Sequence, residues 1–567
     1  MTPAKRSSET PRITTPRVET PRVEMLEGRR LMSAALALTT DNRLLSFDTD
    51  DPGEITSSVR VNGLKKNETL LGIDFRPATG QLFGIGSSNR LYQINTRTGE
   101  ANQIGGKFAV PLSGSSFDLD FNPTVDRIRV VSNADQNLRL NPNTGATVDG
   151  DAVTAGVQPD TSLAFAAGDA NQGDDPMVVA AAYTNNLNGA TTTTLYGIDS
   201  GQNALVGIGG LNGAPSPNGG QLFTIGALGV DVGRRTHLDI QTTNGGASNT
   251  AFAVLQLVGR NSPRLARIDL ASGKATIVGK LDTPRNAQIA DFALVPTTSK
   301  AVGFALTSKD ELLAFRADEP DRILRRTKLK GLDRGEDLIG IDVRPATGEL
   351  FGLSNFDRLY TIHPKNGRLT QIGDELAASI VGRRDGFGFD FNPTVDRIRV
   401  VSNADQNLRL NPITGAVVDA DTVGGGLQLD GPLAYDVDTD GAGPDLGDVN
   451  AGADPMVTGS AYTNNVGGAT TTTLYGIDTG LNVLVTQNPP NAGTINTVGA
   501  LGVDVLTRSG FDIVTSDGGN NFAFAALKVD GEDRSALFSI NLTSGAATRI
   551  GVLGTSRVIT GLAFMPV

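Results

Sequence analysis

Apolar and polar residues alternate along this chain in short runs, and the runs recur. A segment of the form Leu-x-x-apolar-Asn/Asp, read loosely, occurs as LLSFD at 44–48, LYQIN at 91–95, NLRLN at 137–141, LYGID at 195–199 and LARID at 265–269. It returns as LLAFR at 312–316, LYTIH at 359–363, NLRLN at 407–411, LYGID at 474–478 and LFSIN at 537–541. A period of two predicts β-strands, because successive side chains of a strand point to opposite faces. The segments that follow, TRTGE at 96–100, PNTGA at 142–146, LASGK at 270–274 and LTSGA at 542–546, place glycine where a tight turn needs positive φ. Each unit therefore reads as strand, turn, strand. No stretch sustains a 3.6-residue period with caps, so long helices are not expected.

A longer period lies above this one. DFNPTVDRIRVVSNADQNLRLNP at 120–142 recurs letter for letter at 390–412. GIDFRPATGQLFG (72–84) matches GIDVRPATGELFG (340–352), AYTNN and TTTTLYGID (182–186, 191–199) match 461–465 and 470–478, and IGALGVD (225–231) matches VGALGVD (498–504). The order is the same throughout, so the second half duplicates the first. Five units per half, spaced by roughly 46–70 residues, suit four-stranded blades. QIADFALVP (288–296) and ITGLAFMPV (559–567) end the halves as isolated strands, each placed to complete the first blade of its own half. The expected fold is all-β: two tandem β-propeller-like domains of about five blades each, at 34–297 and 298–567.

Residues 1–33 differ from the rest. Thr-Pro-Arg repeats at Thr10, Thr15 and Thr20, and recurrent proline opposes both helix and sheet, so a disordered Pro/Arg-rich arm is expected. The arm runs into Leu26-Glu27-Gly28-Arg29-Arg30-Leu31-Met32-Ser33, which resembles the Leu-Glu-Pro-Arg…Leu-Leu-Ser motif of exported bacterial surface proteins, with Gly28 and Met32 as departures. That resemblance implies an extracytoplasmic place, secreted or at the cell surface.

Composition narrows the chemistry. A net charge of −12 without a long basic run argues against nucleic acid, whose phosphates need clustered Lys/Arg. The chain has no cysteine, which excludes disulfides, thiolate metal sites and cysteine nucleophiles. No apolar run is long enough for a transmembrane helix. His237 and His363 are the only histidines and fall at non-equivalent places in the two halves, so a histidine triad is not expected. GIGSSN (84–89) has Asn89 where a dinucleotide fingerprint needs its last glycine, and it sits in a hairpin.

Taken in order, GID-RPATG-LFG, DFNPTVDRIRVVS, QNLRLNP-TGA, AYTNN, TTLYGID, QNPPNAGTINTVGALGVD (487–504) and GFDI (510–513) resemble the bacterial family known as domain of unknown function 4394, in two copies covering nearly the whole chain. The resemblance implies repeat-type β architecture and extracytoplasmic location and carries no activity with it. The first copy departs from the pattern at GLNGAPSPNGG (210–220) and HLDI (237–240).

Three clusters are candidates for a site. The duplicated segment offers Asp120, Asn122, Asp126, Arg127 and Arg129, repeated as Asp390, Asn392, Asp396, Arg397 and Arg399. Two carboxylates beside two guanidiniums suit bidentate capture of a polar ligand, and equally suit structural ion pairs. Asp436-Val-Asp438-Thr-Asp440-Gly, with Asp445 and Asp448 beyond it, has the oxygen spacing of a calcium loop but no glutamate at the twelfth position. Calcium is the one cofactor this allows for, and a solvated acidic loop is the plain alternative. The third cluster, Asp169, Asn171 and Asp175 with Asp448, Asn450 and Asp454, reads as turn capping or a ligand site. The chain as a whole reads as an exported, non-catalytic binding or scaffold protein with an unknown extracellular protein or polysaccharide ligand. The alternative is a carboxylate-dependent enzyme acting on an extracellular polysaccharide, weakened by the absence of tryptophan and the presence of only seven tyrosines.

Overall fold

The computed structural model describes residues 34–565 apart from 152, 244–247, 285–286, 297–300, 383–385, 422, 438–446 and 517–518. The N-terminal arm and its export-type motif lie outside the described residues. Within them the chain is all-β, with ten sheets, five in each half.

The alternating units form meandering antiparallel sheets. In the first half the second sheet runs Leu70–Phe75, Leu82–Gly86, Arg90–Ile94, Ala101–Ile104 in spatial order, and the fifth runs His237–Thr243, Ser248–Leu255, Arg264–Ile268, Ala275–Lys280. The third begins with Phe117–Asn122 and the fourth with Val178–Tyr183. The fourth also gains a short parallel edge strand, Ala164–Phe165. The first sheet is assembled from both ends of the half: Ile289–Leu294 pairs antiparallel with Ala34–Thr39. The second half repeats this, with Ile559–Phe564 paired to Val302–Thr307. The isolated strands seen in the sequence thus pair within their own halves.

One strand leads each sheet, and these leading strands neighbour one another. Leu70–Phe75 lies beside Phe117–Asn122, that beside Val178–Tyr183, that beside His237–Thr243, that beside Ile289–Leu294, which returns to Leu70–Phe75. Apolar side chains fill the spaces between successive sheets. Phe83, Ile85 and Leu91 of the second sheet meet Phe121, Ile128 and Val130 of the third. Phe252, Val254 and Leu265 of the fifth meet Ala37, Phe47 and Phe292 of the first. Inner strands such as Leu82–Gly86 and Val178–Tyr183 are therefore buried on both faces and read as nearly continuous apolar runs, while outer strands such as Ile55–Arg60 stay largely exposed. Phe83 and Phe121 meet edge to face at 5.3 Å, and their counterparts Phe351 and Phe391 do so at 5.1 Å.

Glycine in the repeated turn serves a second purpose. Gly99 has φ 72°, and its carbonyl accepts the N–H of Asn62 on the preceding sheet at 2.8 Å. A Cβ on Gly99 would lie 2.1 Å from the Arg60 carbonyl oxygen. The turn thus docks one sheet onto the next by backbone contact, and a side chain both strains φ and opens that contact. Gly99→Ala is expected to cost about 1–3 kcal/mol, measured as a lower thermal unfolding midpoint with native strand content retained before the transition.

Candidate functional site

Acidic residues interrupt the apolar leading strands at regular places. Asp74 lies on Leu70–Phe75, Asp118 and Asp120 on Phe117–Asn122, Asp239 on His237–Thr243 and Asp291 on Ile289–Leu294. All are at most 3% exposed. Their carboxylates accept backbone N–H groups. Asp74 takes the N–H of Phe75 at 2.6 Å and that of Phe121, on the next leading strand, at 2.9 Å. Asp291 reaches Ile73 at 2.7 Å, Asp118 reaches Ala181 at 2.9 Å, Asp120 reaches Tyr183 at 3.2 Å and Asp239 reaches Leu294 at 2.6 Å. A leading strand has a sheet partner on one side only, so the N–H groups on its other edge would be buried without acceptors. The carboxylates supply them. In the second half Asp342 reaches Phe391 at 2.8 Å, Asp390 reaches Tyr462 at 3.0 Å and Asp512 accepts the N–H of Phe564.

This stitching crowds like charges. Asp74, Asp120 and Asp239 bring carboxylate oxygens within 4.8 Å of one another, as do Asp342, Asp390 and Asp512; Asp118, His237 and Asp291 form a third such group. Burial, and then for most of them the neighbouring carboxylates, hold Asp74, Asp118, Asp120, Asp342 and Asp390 well above the ordinary carboxylate range. Burial likewise raises Asp291, and it lifts Asp239 to about 6 and Asp512 to about 7. It lowers His237 to about 4.

The duplicated segment builds a second site on the neighbouring strand, Arg127–Ser132, where Arg129 stands opposite Asp120. The Arg129 guanidinium, 1% exposed, donates to Asp160 and Asn218 at 2.6 Å, to Asn137 at 2.7 Å and to the Tyr183 hydroxyl at 3.3 Å. Arg139 also grips Asp160, through two bonds of 2.7 Å. Arg399, Asp430, Asn407, Asn491 and Arg409 repeat the network. A cavity of about 480 Å³ opens beside it in the first half. Asn122, Arg127, Arg129, Thr192, Asn212 and Asn218 contribute to its lining, which contains no carboxylate among the described residues.

Asn122, Arg127 and Arg129 thus come together at the cavity, and the acids of the segment go elsewhere. Asp120 faces the buried carboxylate group and Asp390 its counterpart. Asp126 sits in the turn at φ 51° and accepts two bonds from Arg76, and Asp396 does the same with Arg344. The expected pairing of Asp120 and Asp126 with Arg127 and Arg129 therefore does not form. The partner of Arg129 is Asp160, a residue 31 positions along the chain. Asn122 and Asn392 cap their turns by accepting the Thr124 and Thr394 N–H groups, while Arg127 and Arg397 donate to the carbonyls of Asp126 and Asp396.

Of the calcium-loop residues, Asp438, Asp440 and Asp445 lie outside the described residues. Asp436 accepts the Asp448 N–H through its carbonyl at 2.9 Å. The Asp448 carboxylate binds the N–H and hydroxyl of Thr497, as Asp169 binds those of Thr224 in the first half, which lacks the loop. Those two aspartates act as turn clasps. Asp74, Asp118, Asp239 and Asp291 escaped the sequence reading. Their signal was present as lone acids inside apolar strands, in GIDF, FDLDF, HLDI and IADFAL.

The model of the family described as domain of unknown function, DUF4394, matches residues 43–293 and 311–563. The chain belongs to the DUF4394 family. It carries two tandem DUF4394 copies. No curated protein matches the sequence. Solved structures similar to it include the dihydro-heme d1 dehydrogenase NirN in complex with DHE, at 9% identity over 68% of this chain and 72% of that one, with a TM-score of 0.23. A protein of unknown function from Bacteroides caccae is 11% identical over 47% of this chain and 99% of its own, with a TM-score of 0.24. BamB from Moraxella catarrhalis is 14% identical over 79% and 89%, with a TM-score of 0.18.

Two outcomes follow for the DUF4394 copies. Asp160→Ala leaves two guanidiniums without their carboxylate, one fully buried, and is expected to destabilise the first copy by about 3–5 kcal/mol, read from denaturant unfolding against the wild type. Asp512 has a folded-state pKa raised to about 7, so the stability tied to its proton is complete below the unfolded value of about 4 and is lost as pH rises through 7. Asp512→Asn cannot ionise. Its deficit in thermal midpoint relative to wild type is expected to shrink steadily between these two pH values.

Proposed function

We propose that each DUF4394 copy is a five-bladed β-propeller and that the protein is an exported, non-catalytic binding or scaffold protein of a bacterial cell surface. Its ligand site is the cavity beside Arg127 and Arg129. The observation that carries this reading is the lining of that cavity: hydrogen-bonding Asn, Thr and Arg side chains interleaved with Val125, Val148, Leu195 and Pro217, with no carboxylate among the described residues. Glycoside hydrolysis needs two carboxyl groups roughly 5–9.5 Å apart on either side of a reachable bond. The convergent aspartates of this chain are buried and occupied by backbone N–H groups, and Asp126 is held by Arg76. Amide and hydroxyl groups and the Arg127 guanidinium, set among apolar side chains, suit an oxygen-rich ligand such as an acidic or neutral polysaccharide. Tandem copies then add avidity toward a repetitive polymer. The ring arrangement is supported by the circuit of neighbouring leading strands, and export by the Leu26–Ser33 motif together with the acidic charge.

The test incubates the purified protein with a panel of bacterial and algal polysaccharides and scores both retention and new reducing ends. Retention without cleavage, weakened at least tenfold by Arg127→Ala, is expected. Release of reducing ends that Asp126→Asn abolishes makes the protein a hydrolase instead, and retention unaffected by Arg127→Ala places the ligand elsewhere.

A further inference from the structure

The two copies differ at their centres in one coordinated way. Beside the three aspartates that both possess, the first copy buries Asp118, His237 and Asp291. The second has Gly388, Gly510 and Gly561 at those positions. The equivalence is fixed by register: Asp118 and Gly388 lie two residues before Asp120 and Asp390, His237 and Gly510 two before Asp239 and Asp512. Asp291 pairs with Leu38 as Gly561 pairs with Leu306. The second copy has closed the space. A Cβ on Gly388 would lie 2.5 Å from the Ser460 Cβ, and one on Gly510 2.7 Å from the Gly561 carbonyl carbon. Three ligand-type side chains are present together in one copy and absent together from the other.

Their geometry is that of a site. One donor atom from each lies within 4.8 Å of the other two. His237 is 2% exposed, and its ring nitrogens make no well-aligned hydrogen bond, the backbone of Ile289 being the acceptor within reach of the ring. Its Nδ1 lies 3.2 Å from Asp291 Oδ1 without hydrogen-bond alignment, close to the ~3.4 Å between two ligands of a tetrahedral zinc ion. The carboxylates are aimed by backbone N–H groups, Asp118 by Leu119 and Ala181, Asp291 by Phe292 and Ile73. Orientation by such outer bonds is what metal-ligating carboxylates have, and each oxygen keeps a further lone pair. Asp118 and Asp291 lie within hydrogen-bond reach of each other, and two adjoining buried carboxyl groups and a buried imidazole without an aligned partner are costly unless a proton or a cation lies among them. A divalent cation answers both.

We propose that Asp118, His237 and Asp291 bind one divalent transition-metal ion, zinc or manganese in kind, at the centre of the first DUF4394 copy. One imidazole nitrogen with two carboxylate oxygens, and no sulfur, selects these borderline to hard ions. The ion joins the leading strands of the third, fifth and first sheets. It is a structural clasp, since its ligands are closed off from solvent.

The experiment uses the full chain, loaded in turn with Zn²⁺ and Mn²⁺ and freed of excess metal. Expected is one retained ion per chain, together with a thermal midpoint that falls when a chelator is added. The triple variant Asp118→Gly, His237→Gly, Asp291→Gly, which copies the second half, is expected to retain none and to ignore chelator. Should that variant not fold, X-ray absorption on the loaded wild type decides, with one nitrogen and two carboxylate oxygens at ~2.0–2.2 Å expected. The proposal is overturned by wild-type protein that keeps neither ion and melts identically with and without chelator. It is equally overturned by a variant that binds as the wild type does, or by an all-oxygen coordination shell.

Discussion

The free edges of the leading strands set the terms for the whole molecule. A strand with a sheet on one side and other strands on the other exposes a row of N–H groups that neither water nor a ladder partner can take. Leaving them unpaired in an apolar interior costs more than any single packing contact returns. Aspartate is short enough to receive its own neighbour's N–H with one oxygen and the next strand's with the other, as Asp74 and Asp342 do. Sheet-to-sheet order thus rests on side-chain carboxylates as well as on the apolar layers between sheets.

That solution carries an electrostatic penalty, and the two copies answer it differently. The second holds three carboxylates together and relies on protons, which burial favours. The first adds two more acids and a histidine at the same depth. Between the fourth and fifth sheets, where no aspartate stands, the second copy joins the Thr458 and Ser509 hydroxyls at 2.8 Å, while the matching Thr236 hydroxyl of the first copy has no partner. The first copy is therefore the less conservatively packed of the two.

Much of this was legible in the sequence, and the reasons are physical. Strand, turn and duplication come from local period and glycine placement, which side-chain direction and φ dictate directly, and the pairing of 289–294 with 34–39 follows from a leftover strand needing a partner. The chemistry was less legible. Asp120 and Asp126 stand six residues apart in one hairpin, yet one enters the buried centre and the other a turn, because strand alternation and a left-handed residue send them apart. Arg129 turns to Asp160 across a loop whose path no local rule specifies. The inward aspartates were visible only as acids that break apolar runs, a mark that also fits ordinary turn residues. His237 looked uninformative because its copy in the other half is glycine, although that contrast is what gives it meaning.

The pairing of each half's final strand with its own first strand has a bearing on how the chain is made. Ala34–Thr39 leaves the ribosome long before Ile289–Leu294. Until then the first sheet waits with an open edge, and the contact that completes it spans almost the entire half, the kind of long-range closure that slows folding. Completion of the first half requires nothing from the second, so the two can mature one after the other. In the interval, the unfinished edge of one half and the equivalent closing strand of the other are an opportunity for mispairing.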